Sequence, residues 1–114
     1  MIRPGDVYWV QLQGDADTGA RIPHPHVVIA QDEPTPGMVI LCALTTNTRK
    51  ISMPGNVLLN AGEANLPRQS AVEVSKQVRL EAAQLGDYIG ALSQQRMEQI
   101  IAGIAFVQRS FFTR

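Results

Sequence analysis

The sequence predicts a mainly β, α+β fold: a small antiparallel barrel of short strands with one amphipathic helix packed on it at the C-terminus. Three observations carry this. Short apolar, β-branched runs follow one another from Gly5 to Val78, parted by Gly, Pro and Asn clusters. The links between them are too short for helical crossovers, so neighbouring strands run antiparallel. After Ser93 the apolar period changes from two to three and four, the signature of a helix. Such a succession of strands with one closing helix buries its apolar faces as a small barrel under a helix.

The elements follow in order. "GDVYWVQL" (Gly5 to Leu12) is rich in β-branched and aromatic residues and reads as a strand with one covered face, with Tyr8 and Trp9 on opposite sides. At most one of those two rings is exposed, and the other is core. "GDADTGARIPHP" (Gly14 to Pro25) carries glycines and prolines suited to an exposed loop, where function concentrates. "HVVIAQ" and "MVILCALTT" are the next two strands, joined by the turn "DEPTPG". "NVLL" (Asn56 to Leu59) is a short fourth, and "SAVEVSKQV" (Ser70 to Val78) a fifth, alternating so that Ser70, Val72, Val74 and Lys76 share a face. Beyond "IGALS", Ser93 is placed to cap a helix of about five turns, whose apolar stripe is Met97, Ile100, Ile101, Ile104, Val107 and Phe111.

Composition narrows the functional classes. The 114 residues suit a single domain over 1–114, and 45% hydrophobic with 18% charged residues is neither disordered nor coiled-coil composition. Ten Lys and Arg balance ten Asp and Glu, so no global positive field attracts polyanions, and any such contact comes from local clustering. The one cysteine, Cys42, lies in an apolar run and has no partner for an internal disulfide; it reads as a small core residue. No apolar run approaches the roughly 20 residues of a membrane span. The expectation is a cytoplasmic protein with no membrane partner.

Both histidines stand in "RIPHPHVVIAQ", at positions 24 and 26. In an extended segment they point to one face, the geometry a metal would want. A metal needs at least a third ligand, however. Asp32 and Glu33 lie at the far end of the strand, roughly 15 Å away at about 3.3 Å per residue, and Cys42 is expected to be buried. The sequence therefore predicts no metal and no cofactor. Read from the residues alone, His26 is strand surface and His24 a solvated turn residue, whose imidazole, of ordinary pKa about 6.5, can hold or release a proton near neutrality.

"GDVYWV" at the start, "HPHVVI" in the second strand, "LTTN" ending the third, Ser70-Ala-Val opening the fifth and "IGALS" before the helix together resemble the PemK/MazF family of toxins from toxin-antitoxin modules. The similarity runs from Pro4 to Val107; no single piece is specific, but the ordered series is. The resemblance implies an SH3-like barrel, a homodimer, and an endoribonuclease that cuts single-stranded RNA without metal. It further implies silencing by a cognate antitoxin, with operator DNA bound only together with that antitoxin. The family's usual site pairs an arginine, in an "RP" just before the second strand, with a Thr or Ser at the end of the third. Carried over by position, the hydroxyl is Thr45 or its neighbour Thr46, and the arginine position is His24.

The departure at His24 matters chemically. Cleavage by attack of a ribose 2′-hydroxyl requires removal of that proton, protonation of the leaving 5′-oxygen and stabilisation of charge on the phosphate. His24 can serve in proton transfer, but the phosphate then needs another cation. Arg21, three residues earlier, is the first candidate and Lys76 the second. The Thr45 hydroxyl is suited to a phosphate oxygen or the 2′-hydroxyl, and Thr46, Asn47, Arg49 and Lys76 are the expected RNA-binding set. Two alternatives remain open at this level: a catalytically silent relative that only binds, and a gyrase-poisoning one, whose characteristic C-terminal ending "FVQRSFFTR" does not resemble.

Overall fold

A computed structural model describes residues 1–12, 22–32 and 35–112, the last three of these and Thr48 by backbone alone. Among the described residues, six antiparallel strands form one sheet: β1 (Asp6–Val10), β2 (His24–Gln31), β3 (Met38–Thr45), β4 (Val57–Leu59), β5 (Ser70–Glu81) and β6 (Leu85–Ala91). Their order across the sheet is β4-β5-β3-β2-β1-β6. The helix α1 (Gln94–Phe112) follows. All the strands expected from the sequence are present, and β6 is an addition.

β6 escapes a reading by propensity because Gly86, Asp87 and Gly90 are poor strand formers. Two of its glycines answer to close approach. A Cβ on Gly86 would come within 2.7 Å of the Trp9 carbonyl oxygen, and one on Gly90 within 2.5 Å of the Ala64 carbonyl oxygen. The second contact belongs to a clasp. The outer strands β4 and β6 do not pair, so the barrel is not closed by a ladder. Instead the turn at Glu63–Asn65 bridges the seam, with the Asn65 side-chain amide donating to the Ile89 carbonyl at 2.9 Å. Arg96 of α1 grips the same turn, its Nε and Nη2 donating to the two Glu63 carboxylate oxygens at 2.8 Å each.

Side chains alternate along the strands, and the curved sheet covers both of its faces. One face carries Val7, Val27, Cys42, Leu44, Val72 and Val74 under α1, joined there by Ile100, which is fully buried. Ser93 caps the helix as expected: its Oγ accepts from the Arg96 N–H at 3.2 Å, and its carbonyl from Met97 at 3.0 Å. The helix lies so close to the turn before β4 that a Cβ on Gly103 would overlap the Gly55 carbonyl. Ile101, expected in the apolar stripe, instead faces outward, as does Phe106. The other face carries a smaller cluster of Val10, Val28, Val39 and Leu41, flanked by Tyr8 and Val78. The candidate site lies on this second face.

β5 departs from simple alternation. Cys42 pairs with Gln77 while the next residue, Ala43, pairs with Glu73, so Val74, Ser75 and Lys76 form a wide bulge. Lys76 is consequently not the next member of the series Ser70, Val72, Val74; it leaves that face where the strand bends. Ala71 and Glu73, on the opposite face from Val72, are buried as well.

Candidate active site

The register of three strands builds the site. His26 of β2 stands opposite Ala43 of β3, which stands opposite Glu73 of β5. Cross-strand partners share a face, so this row places an imidazole and a carboxylate either side of a small alanine that leaves room between them. One step along, Thr45 stands opposite Ala71, and the β2/β3 register extended by two residues brings His24 to Thr45. The result is a cleft of about 420 Å³ lined by His24, His26, Thr45, Glu73 and Lys76, with Leu12, Ala43, Leu44, Gln77 and Val78 completing its wall.

His26 is the largest correction to the sequence reading. It is buried, at 2% exposure, where strand surface was expected. Its Nδ1 lies 3.0 Å from the His24 carbonyl oxygen. Burial pushes the imidazole pKa down; the bond to the His24 carbonyl, and Glu73 across the row, partly oppose that. His24 itself is exposed at the rim, its ring free to meet a ligand.

Glu73 is 6% exposed and holds two cations, Lys50 Nζ at 3.7 Å and Lys76 Nζ at 3.8 Å from its Oε1. Two ammonium groups against one carboxylate leave the pocket with surplus positive charge, which suits a phosphodiester. Asn56 fixes this arrangement. Its Oδ1 accepts the Val74 N–H of the bulge at 3.1 Å, and its Nδ2 donates to the Lys50 carbonyl at 2.8 Å. One amide thus sets both the bulge that carries Lys76 and the backbone that carries Lys50.

The Thr45 hydroxyl accepts the Asn47 N–H at 3.1 Å, which orients the oxygen and leaves its hydrogen to donate. Asn47 Oδ1 in turn accepts the Arg49 N–H at 3.0 Å. Thr46, Asn47 and Arg49 are exposed just past the cleft and do not line it. Of the expected set, His24, Thr45 and Lys76 therefore come together, and Thr46, Asn47 and Arg49 flank them. Arg21 lies outside the described residues. His26, Glu73, Lys50 and Asn56 are additions. Beside the pairing of His26 with His24 in "HPH", the signal that could have found Glu73 is a carboxylate inside the apolar run "SAVEVS", since a charge there is buried only when partnered.

Among the described residues, no three His, Cys, Asp or Glu side chains gather as a metal-binding group. Cys42 pairs with Val27 on the helix side of the sheet, away from the cleft, and burial pushes its thiol up to about 12, so it stays protonated at neutral pH. No described helix is long and apolar enough to cross a membrane.

Residues 3–107 match the family of PemK-like, MazF-like toxins of type II toxin-antitoxin systems. The chain belongs to this family. Two curated relatives are each 31% identical over 107 residues, covering 91% of this chain and 94% of their own: Endoribonuclease MazF6 of Mycobacterium tuberculosis and Endoribonuclease MazF2 of Mycobacterium bovis. Among solved structures, the Mycobacterium tuberculosis toxin MazF-mt6 superposes with a TM-score of 0.71 at 19% identity, over 93% of this chain and 96% of its own. An endoribonuclease in complex with its cognate antitoxin, from a mycobacterial species, gives 0.72 at 20% identity over 95% of both chains. At such identities the superpositions establish the fold: the PemK/MazF toxin fold of an antiparallel sheet and C-terminal helix.

Proposed function

We propose that this PemK/MazF toxin is an endoribonuclease, a single toxin domain over 1–114 that cleaves single-stranded RNA by attack of a ribose 2′-hydroxyl on the adjacent phosphorus. The observation that supports the chemistry is the convergence of His24, Thr45 and Lys76 in one cleft. The relatives named as endoribonucleases support the activity over the silent and gyrase-poisoning alternatives. His24 transfers a proton, Thr45 Oγ1 donates to a non-bridging phosphate oxygen, and Lys76, held beside Glu73, supplies the cation that the family's arginine would have given. Arg21 is a second source of that charge. Thr46, Asn47 and Arg49 contact nucleotides to the side of the scissile phosphate. Imidazole, hydroxyl and ammonium supply proton transfer and phosphate stabilisation without recourse to a metal.

The toxin acts in the cytoplasm and is silenced by an antitoxin, whose acidic segment would be attracted by the surplus positive charge of the cleft. Operator DNA is bound only in that complex. A homodimer covers exposed apolar side chains, among them Ile101 and Phe106 of α1, at 49% and 47% exposure. The deciding experiment incubates the purified protein with a mixed single-stranded RNA in excess EDTA. Fragments ending in a 2′,3′-cyclic phosphate with 5′-hydroxyl partners are expected, and intact RNA would overturn the reading.

A further inference from the structure

The tautomer of His26 follows from its partner. A carbonyl oxygen only accepts, so the nitrogen 3.0 Å from the His24 carbonyl must carry the hydrogen, and Nδ1 is the N–H of this ring. In the neutral ring Nε2 then bears a bare lone pair. His26 is among the residues that line the cleft, and its Nδ1 is committed to the His24 carbonyl, so Nε2 is the ring's acceptor towards a group bound there. The ring is a fixed acceptor in the wall of a pocket whose rim carries a second imidazole.

We propose that His26 is the general base of the cleavage, its Nε2 taking the proton of the ribose 2′-hydroxyl while His24, in its protonated form, gives one to the leaving oxygen. This rests on the endoribonuclease reading and divides between two residues the proton transfers it requires. As His26 Nε2 accepts the proton, the O2′–P bond forms and the P–O5′ bond breaks. The proton from His24 goes to O5′. The products are a 2′,3′-cyclic phosphate and a 5′-hydroxyl, with His26 charged and His24 neutral; exchange with solvent resets both.

The surroundings fit a base. Burial keeps the ring neutral and ready to accept. Once it is protonated, Glu73 across Ala43 stabilises the imidazolium, and the carbonyl of His24 holds its orientation. Among the described residues, the other charged or titratable groups around it are Tyr8, its register partner on β1, His24 on its own strand, Lys76 on β5 and Lys50 beside Glu73; on this face β3 contributes Ala43 and Thr45. Both lysines are engaged with the carboxylate, which limits their repulsion of the charged ring.

The experiment combines two measurements. Nitrogen-15 spectra of the histidine rings in the unliganded protein at pH 7 should show His26 neutral, protonated at Nδ1 and bare at Nε2; the opposite tautomer, or a charged ring, overturns the proposal without reference to RNA. The second measurement is the pH–rate profile. The parent should show a low-pH limb centred below the ordinary imidazole value of about 6.5 and a high-pH limb. H26N keeps a donor for the His24 carbonyl but has no base. It should lose about a hundredfold or more in rate and lose the low-pH limb, while binding an uncleavable RNA with a 2′-deoxy scissile nucleotide as the parent does. H24A should lose the high-pH limb instead. If the parent cleaves and H26N keeps its rate and low-pH limb, or loses binding as much as rate, the base assignment fails and the endoribonuclease reading stands. If the parent does not cleave at all, both fall.

Discussion

The two faces of the sheet are made by alternate residues of the same strands, and they use burial in opposite ways. On β3, Cys42 and Leu44 enter the apolar cluster beneath α1, whereas Ala43 and Thr45 open onto the cleft. On β5, Val72 and Val74 pack under the helix while Glu73 turns to the lysines and His26. The helix side gains free energy for every methylene it removes from water. The cleft side holds a histidine and a glutamate at 2% and 6% exposure, and such groups are costly unless each finds a partner. Stability is concentrated on one face and the proposed chemistry on the other.

That division can be broken or sharpened by experiment. The largest effect on stability is expected from Ile100→Ala, which empties a fully buried site under the helix and should cost about 2–5 kcal/mol in urea denaturation. Cleavage per folded molecule should stay the same; a parallel loss would mean that the faces are coupled. His24→Ala is the mirror experiment. Its rate should fall by about a hundredfold, equivalent to about 2.7 kcal/mol, with stability within about 0.5 kcal/mol because the residue is exposed.

Ser93→Ala removes the helix cap and should cost about 1 kcal/mol, again without altering the rate. A smaller and pH-dependent effect comes from the cleft. Because burial holds His26 below its ordinary pKa, the unfolded chain takes up that proton first. Stability from this source is full above about pH 6.5 and declines as pH falls through the folded value. Thermal unfolding of His26→Asn should lack this component. The smallest effect is expected from chelation: excess EDTA should change neither unfolding nor cleavage, and an activity that zinc or magnesium restores would replace the site proposed.

The helix face was largely legible in the sequence because it rests on local periodicity. Ser93 and the three-and-four spacing of Met97, Ile100, Ile104 and Val107 define α1 with no knowledge of its partners, and alternation in "MVILCALTT" separates Cys42 from Ala43. What alternation cannot supply is the depth to which a face is covered. It puts His24 and His26 on one side of β2, but only the neighbouring strands decide that one is at the rim and the other inside. Glu73 has the same difficulty, since its partners Lys50 and Lys76 come from a distant turn and from an irregularity in β5. β6 was missed because its glycines answer to close backbone contacts with residues remote in sequence, at Trp9 and Ala64.

The bulge at Val74–Lys76 bears on how this chain can change in length. Everywhere else along β5, adding or deleting one residue would turn every later side chain to the wrong face. Val74 is held under the helix and by Asn56, but Ser75 and Lys76 are exposed and oppose nothing on β3, so Ala43 keeps Glu73 and Cys42 keeps Gln77 when one residue is added after Val74. An insertion there would alter the reach of the Lys76 ammonium group into the cleft, and so towards the phosphate of the proposed substrate, while the two histidines and the hydroxyl stay where the ladder holds them. This is the joint at which substrate grip can be retuned without rebuilding the sheet.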